Sequence, residues 1–182
     1  MLSGTLSYLF NTFNADMSFS ELVDQAREMG YTEPDPRADL SGEDVARKIL
    51  ILARTCGYEL ELEDVTTQNL VPESCRDVEG LEPFLEALAK YDQSFADRDR
   101  TARAEGKALR YIATMEEGRC SVSLEEVGPG HPCFDVAGTD NIIAFTTERY
   151  NQTPLVVKGP GAGAAVTAAG VFTELILAAR SN

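Results

Sequence analysis

The sequence predicts an α+β fold, in which a mixed or antiparallel sheet is covered on one face by helices. Two observations predict this class. Apolar residues recur at helical spacing through the first two thirds of the chain, whereas β-rich runs separated by Gly, Pro and Asn turns fill the last third. A chain of 182 residues is long enough to bury one core. We therefore expect one domain over residues 1–182.

Composition narrows the class of function. The formal net charge of -14 argues against nucleic acid as a partner, because binding phosphates requires a basic face. No apolar run approaches membrane-spanning length and no targeting segment is visible, so we expect no membrane partner. The cysteines lack CxxC spacing, which predicts reduced thiols in a cytoplasmic protein and no metal site. They are Cys56, Cys75, Cys120 and Cys133.

The first two helices are predicted from apolar spacing and capping residues. "MLSGTLSYLFNTF" has apolar and aromatic residues at helical spacing. The next helix begins at Ser18 as its N-cap, with Glu21 as the capping-box partner, and ends at Gly30. A third helix is expected from Ser41 to about Cys56.

The remaining elements follow from the same patterns. "ELELEDV" alternates like a short strand or a connector, and residues 78–106 have a helical pattern that ends in a charged, solvated tail. Four β-rich runs come next, and we expect them to form a single sheet: "ALRYIATM", "CSVSLEEV", "NIIAFTTERY" and "PLVVKG". The only histidine, His131, lies in the turn "GPGHPC", which favours a structural or surface role.

The stretch "GYTEPDPRADLSGEDVARK", residues 30–48, gathers acids before a helix and places a lysine one turn inside it. Its ordinary interpretation is a helix start. Ser41 would be the N-cap and Asp44 its capping-box partner, and Asp44 and Lys48 have the spacing of an exposed helical ion pair. Spacing alone favours this interpretation.

A second interpretation of the same stretch is an active site. Pro34 and Pro36 restrict the backbone of the loop, and such rigidity serves little purpose for solvated acids. A preorganised acidic cluster would suit the ammonium group of a substrate, and a lysine could exchange a proton with an alcohol or carbonyl oxygen. The residues concerned are Glu33, Asp39, Asp44 and Lys48.

Two further stretches contain small residues that could contact a ligand. In "GPGAGAAVTAAG" the backbone amides before a helix could approach an anionic cofactor, although a turn followed by a closely packed helix explains the residues equally well. Gly159, Gly161 and Gly163 match the GxGxxG pattern only in part. In "SGTLSY" the hydroxyl and amide groups have the same two explanations.

Together, the stretches "SGTLSYLFN", "GYTEPDPRADLSGEDVARK" and "GAGAAVTAAGVF" resemble the catalytic part of homoserine dehydrogenase. The similarity is greatest to the dehydrogenase half of the bifunctional aspartokinase/homoserine dehydrogenases, and it covers essentially the whole chain. The resemblance implies interconversion of L-homoserine and L-aspartate 4-semialdehyde with NADP or NAD, in threonine and methionine biosynthesis. It also implies a homodimer that pairs through the sheet.

The resemblance implies roles for individual residues as well. Lys48 would be the acid/base that handles the proton of the substrate alcohol. Homoserine would be bound by Glu33 and Asp44, with Asp39 and Tyr31 close by. The cofactor would be contacted by Gly30, Gly161 and Gly163.

Two features depart from the family pattern. Ala38 stands where the family commonly has an aspartate, which reduces the negative charge near the substrate. The Rossmann-like nucleotide domain with which the family begins is absent from the sequence. We therefore expect an excised catalytic and dimerisation domain that is inactive alone, because the absent domain would bind most of the cofactor. The alternative is a non-catalytic module for amino-acid sensing or dimerisation.

Overall fold

The structure, a computed structural model, describes residues 1–161 and 163–180. The helices are α1 (Gly4–Thr12), α2 (Phe19–Glu28), α3 (Arg37–Leu40), α4 (Glu43–Thr55), α5 (Leu81–Ala89), α6 (Asp92–Ala104) and α7 (Ala164–Arg180). The strands are β1 (Val65–Thr67), β2 (Ala108–Glu116), β3 (Arg119–Val127), β4 (Asp140–Phe145) and β5 (Leu155–Pro160). Short 3₁₀ turns occupy Leu62–Asp64 and Glu73–Cys75.

The strands form two sheets, so the expectation of a single sheet is wrong. One sheet has the order β1-β3-β2, with β1 parallel and β2 antiparallel to β3, and the other is the antiparallel pair β4-β5. The first residues of the chain lie along β4, where the Ile142 amide donates to the Met1 carbonyl at 3.0 Å. At Ile142, β4 therefore pairs with the start of the chain and not with a strand of the first sheet.

Helices pack against the three-stranded sheet and enclose the main core, which confirms the α+β class. Contacts join α1, α4 and α6 to β2. Phe19 at the start of α2 lies at the centre of an aromatic cluster, stacked on Phe95 at 3.9 Å and meeting Phe13 edge-on at 5.3 Å. The predicted N-cap of α2 is confirmed, because the Ser18 hydroxyl accepts from the Glu21 amide at 3.3 Å.

The helical pattern over residues 78–106 corresponds to two helices, α5 and α6. Its charged end is not fully solvated, which corrects the sequence-based expectation. Asp99 is only 2% exposed, and its carboxylate accepts from the Ala15 amide at 2.9 Å and from Arg103 Nε at 2.6 Å. A buried carboxylate is tolerated here because both a charged and a backbone donor satisfy it.

The start of α4 also differs from the prediction. Gly42, not Ser41, is the N-cap, and its backbone is left-handed with φ +76°. Ser41 still contributes, since its hydroxyl accepts from the Glu43 amide at 3.2 Å. A Cβ added to Gly42 would lie 1.9 Å from the Tyr111 hydroxyl, so only glycine permits this turn between α3 and α4.

Gly42→Ala should lower the free energy of unfolding by about 3 kcal/mol, which combines left-handed strain with overpacking against Tyr111. Gly106→Ala is the matched control, because Gly106 has φ +70° and an added Cβ there meets nothing within 4 Å. Gly106→Ala should lower the free energy of unfolding by only about 1 kcal/mol, from left-handed strain alone. Urea denaturation measures both. Equal losses would contradict the close approach to Tyr111.

Tyr111 predicts a pH dependence of stability. Burial raises the pKa of its hydroxyl to about 12, above the ordinary value of 10.0. Below pH 10 the hydroxyl is neutral in both states, and between pH 10 and 12 the unfolded chain releases its proton first, which favours unfolding. The free energy of unfolding should therefore fall by on the order of 2 kcal/mol more in the parent protein than in Tyr111→Phe over this interval. Equal pH slopes would contradict the shift, and Tyr58→Phe, at a position 40% exposed, is the control.

Candidate active site

Helix α4 places Asp44 and Lys48 on one face, one turn apart. Lys48 Nζ lies 2.6 Å from Asp44 Oδ2 and donates to the Leu2 carbonyl at 3.0 Å. The two side chains are 45% and 61% exposed, so the pair has the geometry of an ordinary surface ion pair. The bond to Leu2 is the additional feature, because it fixes the ammonium between α4 and the segment that precedes α1.

Asp39 restrains the acidic loop, which is the segment between α2 and α4. Its Oδ2 accepts from the Glu33 amide at 2.8 Å, and its Oδ1 accepts from the Thr5 hydroxyl at 2.8 Å. The same hydroxyl lies 2.6 Å from the Tyr31 carbonyl oxygen. Glu33 itself is exposed. The backbone that carries Glu33 is therefore restrained while its carboxylate remains open to solvent.

Arg37 anchors the other end of the loop, and sequence reasoning did not find it. Its guanidinium binds the Asp35 carboxylate at 2.6 Å, donates to the Val78 carbonyl at 2.6 Å and lies 5.1 Å from the centre of the Phe84 ring. Hydrogen bonding from Arg37 lowers the pKa of Asp35. The proline-stiffened loop is thus also tied to α5 by a side chain.

Tyr31 and Gly30 lie at the exposed end of α2. The Tyr31 ring lies 4.8 Å from the Tyr8 ring at 55°, and Tyr31 is 43% exposed. Gly30 has φ +72°, and a Cβ added there would meet nothing within 4 Å. The backbone at Gly30 is therefore open to a ligand.

Gly161 and Gly163 lie between β5 and α7, in a stretch whose Ala162 is outside the described residues. A Cβ on Gly161 would lie 1.9 Å from Asn141 Nδ2 of β4, whereas one on Gly163 would meet nothing within 4 Å. Gly4, beside Thr5, packs near Thr139, the residue that leads into β4. The start of α1 thus contacts both the acidic loop and the segment that leads into β4.

In the part of the chain that the structure describes, the other polar residues suggest no second site. The His131 ring accepts from the Cys133 amide at 3.1 Å, a turn contact that suits a structural histidine. The cysteines are free thiols, with Cys56 exposed. Within residues 1–161 and 163–180, no cluster of three or more His, Cys, Asp or Glu could hold a metal ion. In the same residues, no helix is long and apolar enough to cross a membrane.

The acidic loop and Lys48 lie on an open surface. A depression of about 320 Å³ near α4 is lined by Ser41, Glu43 and Ala46, among others. Ala46 is about 200° around the helix from Asp44, so this depression faces away from the ion pair. A second, of about 520 Å³, is formed by residues 148–153. A small substrate at Lys48 would need a further surface to enclose it.

An acidic loop that leads into a lysine-bearing helix on an α+β scaffold is an arrangement suited to binding and protonating a small amino-containing molecule. The homoserine dehydrogenase family model matches residues 1–176. The chain therefore belongs to the homoserine dehydrogenase family, a family of oxidoreductases, which confirms the resemblance found in the sequence.

Individual relatives show which part of such proteins the chain represents. It is 48% identical over 178 residues to bifunctional aspartokinase/homoserine dehydrogenase 1 of Arabidopsis thaliana, with 97% of this chain and 20% of that protein covered. It is 44% identical over 184 residues to the homoserine dehydrogenase of Schizosaccharomyces pombe, with 97% and 49% covered. A solved Candida auris protein of unknown function has a TM-score of 0.90 at 41% identity, with 99% and 52% covered. The chain thus spans about half of the shorter relatives and a fifth of the bifunctional one.

Proposed function

We propose that this chain is the catalytic and dimerisation domain of an NAD(P)-dependent homoserine dehydrogenase, which interconverts L-homoserine and L-aspartate 4-semialdehyde in threonine and methionine biosynthesis. The observation that carries the proposal is the Lys48 ammonium, which is fixed by Asp44 and the Leu2 carbonyl beside the restrained acidic loop. An ammonium in that position can donate a proton to a carbonyl oxygen, and the corresponding amine can accept one from an alcohol.

The acids supply the other half of substrate recognition. Glu33 and Asp44 are both exposed. The Glu33 carboxylate is open to the ammonium group of homoserine, and Asp44 would bind that group in addition to its ion pair with Lys48. Arg37 and Thr5 restrain the loop, which reduces the entropy lost when the substrate binds. With the amino group held, the reacting carbon of homoserine would lie within reach of Lys48 and the proton would pass between Lys48 Nζ and the substrate oxygen.

NADP or NAD, when bound, accepts or supplies the hydride. The backbone at Gly30 and Gly163 fits a nearby cofactor, because an added Cβ at either position meets nothing within 4 Å. Gly161 lies against Asn141 and would contribute through its backbone. These contacts are few, so most of the cofactor's binding surface would come from a nucleotide-binding domain like that of the family.

Exposed apolar residues on α7 and β5 support two contacts, one with a nucleotide-binding domain and one with a second copy of the chain. None of the described side chains of α7 is buried, although the helix is rich in apolar residues. In β5, Leu155, Val156 and Val157 are between 43% and 56% exposed. Apolar patches of this kind mark interaction sites. We assign the β4-β5 sheet to pairing between two copies of the chain.

Enzyme assays test this proposal. Homoserine oxidation should be absent from the chain alone and present when the upstream segment of its relatives is joined to it, with NADP and NAD assayed in parallel. Analytical ultracentrifugation should give a dimer. Homoserine binding without turnover in both forms would instead support the amino-acid-sensing module. A dimer without homoserine binding would support a purely structural domain.

A further inference from the structure

Helix α1 is attached at both ends to the β4 segment, which we define as residues 133–142. Just before the helix, the Met1 carbonyl accepts from the Ile142 amide at 3.0 Å. In the last turn of the helix, Asn11 Nδ2 donates to the Gly138 carbonyl at 2.8 Å. The position of α1 therefore depends on the position of the β4 segment.

Arg110 joins the end of α1 to the start of the β4 segment. Its Nη1 donates to the Phe10 carbonyl at 2.8 Å, while Nε and Nη2 donate to the Cys133 and Phe134 carbonyls at 3.0 Å and 2.8 Å. Arg110 is 8% exposed, so these charged hydrogen bonds form away from water, where they are stronger. Helix α1 and the β4 segment are thus held together as one unit.

This unit also holds Lys48. The Leu2 carbonyl, which follows the Met1 carbonyl bound to β4, accepts from Lys48 Nζ at 3.0 Å. A shift of β4 relative to α4 would lengthen or break that bond and release the ammonium. Proton transfer requires the donor and acceptor atoms to lie within hydrogen-bond distance, so the position of β4 bears on the chemistry at Lys48.

The outer half of the β4-β5 sheet is open on both faces. Leu155, Val156 and Val157 follow one another in β5 and are all between 43% and 56% exposed. Neighbouring residues of a strand point to opposite faces, so apolar side chains are exposed on each face. A two-stranded sheet without cover is at best marginally stable. Contact with a second copy would therefore order β4 as well as β5.

We propose that pairing of two copies through the β4-β5 sheet orders the β4 segment and thereby positions Lys48, an inference that rests on the proposed function and deepens it. The active site is then complete only in the dimer. Asn11 is a positioning residue in this connection and acts through α1. A misplaced acid/base group lowers kcat, whereas binding of homoserine by the acidic loop is retained, so KM should change little.

Val157→Asp tests the dependence on the dimer, because like charges brought together across an interface oppose association. In the chain joined to the upstream segment of its relatives, the variant should sediment as a monomer. Its kcat should fall about 10- to 100-fold, as expected when a catalytic group is misplaced by about 1 Å, with KM within about twofold. Thr101→Asp adds the same charge at an exposed position of α6 and is the control.

A monomeric Val157→Asp with the parent kcat would overturn the proposal. If the variant remains a dimer, dilution of the parent protein takes its place, and activity per chain should fall as the dimer dissociates. Constant activity per chain through the dissociation would also overturn the proposal. An active parent protein that is a monomer would overturn both the proposal and the assignment of the β4-β5 sheet to pairing.

Asn11→Leu tests the connection inside one copy, since it removes the bond to Gly138 and keeps a side chain of similar size. Its kcat should fall about tenfold while the protein remains a dimer. Asn14→Leu is the matched control, because the Asn14 side chain bonds only to Asp16 and Met17, within the connection between α1 and α2. Equal values of kcat in the two variants would overturn the positioning role of Asn11.

Hydrogen exchange provides a readout that does not depend on activity. Exchange at the Ile142 amide, which donates to the Met1 carbonyl, should accelerate in Val157→Asp and Asn11→Leu and stay unchanged in Thr101→Asp and Asn14→Leu. Unchanged exchange in the first two, when folded, would overturn the connection even if dehydrogenase activity is present. Inactivity of the parent protein would instead contradict the proposed function, while the exchange rates still test the connection itself.

Discussion

Lys48→Met should reduce kcat for homoserine oxidation by about 10²- to 10⁴-fold, the range that general acid/base groups contribute. Methionine retains the apolar stem and removes the ammonium, the group that we propose exchanges the proton. The fold should be unaffected, because Lys48 is 45% exposed and its partner Asp44 is 61% exposed, and such pairs contribute at most about 1 kcal/mol. The assay is steady-state kinetics of the chain joined to the upstream segment of its relatives, with thermal unfolding measured alongside.

The neighbouring ion pair provides the control. Arg47 pairs with Glu43 at 2.6 Å, with the same spacing of four residues and with side chains 58% and 55% exposed. Arg47→Met removes a comparable charge from the same helix and should leave kcat within about twofold, since a solvated rim charge contributes little to chemistry. A near-normal kcat in Lys48→Met, or equal losses in both variants, would contradict the proposed role of Lys48 as the acid/base.

Arg110→Met should destabilise the fold by about 4 kcal/mol, because several buried backbone carbonyls would lose a charged donor, at about 1–3 kcal/mol each. Arg110 in β2 is 8% exposed, and burial lowers the pKa of its guanidinium. Its donors lie 2.8–3.0 Å from four backbone carbonyls, which belong to Phe10, Leu109, Cys133 and Phe134. These bonds connect the end of α1, strand β2 and the turn that precedes β4. Methionine would fill part of the space and leave buried carbonyls without donors.

Arg119→Met is the control for Arg110→Met. Arg119 lies at the start of β3, the strand paired with β2, and its side chain is exposed. Its replacement should change the free energy of unfolding by no more than about 0.5 kcal/mol. Urea denaturation of both variants measures the difference. Similar, small losses of unfolding free energy in the two variants would show that solvent satisfies the carbonyls around Arg110. Arg110 would then not serve as the link between α1, β2 and the turn.

Local patterns were sufficient for many of the elements. The apolar spacing of α2 and its Ser18 cap, and the β-rich runs that became β2 and β3, depend on residues within a few positions of each other. The single sheet was wrongly predicted because strand pairing depends on which strand edges are free. Met1 is hydrogen-bonded to Ile142 of β4, 141 residues away along the chain. The burial of Asp99 was missed for the same reason, since its partner Ala15 is distant in sequence.

The sequence by itself determined the α+β class, the family, and the acidic stretch that carries Glu33, Asp44 and Lys48, because each depends on residue types at short, fixed spacings. Only the tertiary structure decided how that stretch is held. The hydrogen bond from Lys48 to the Leu2 carbonyl joins positions 46 residues apart. The hydrogen bond from the Thr5 hydroxyl to Asp39 joins positions 34 residues apart. Such long-range hydrogen bonds produce no periodic pattern in the sequence, since their partners come together only when the chain folds.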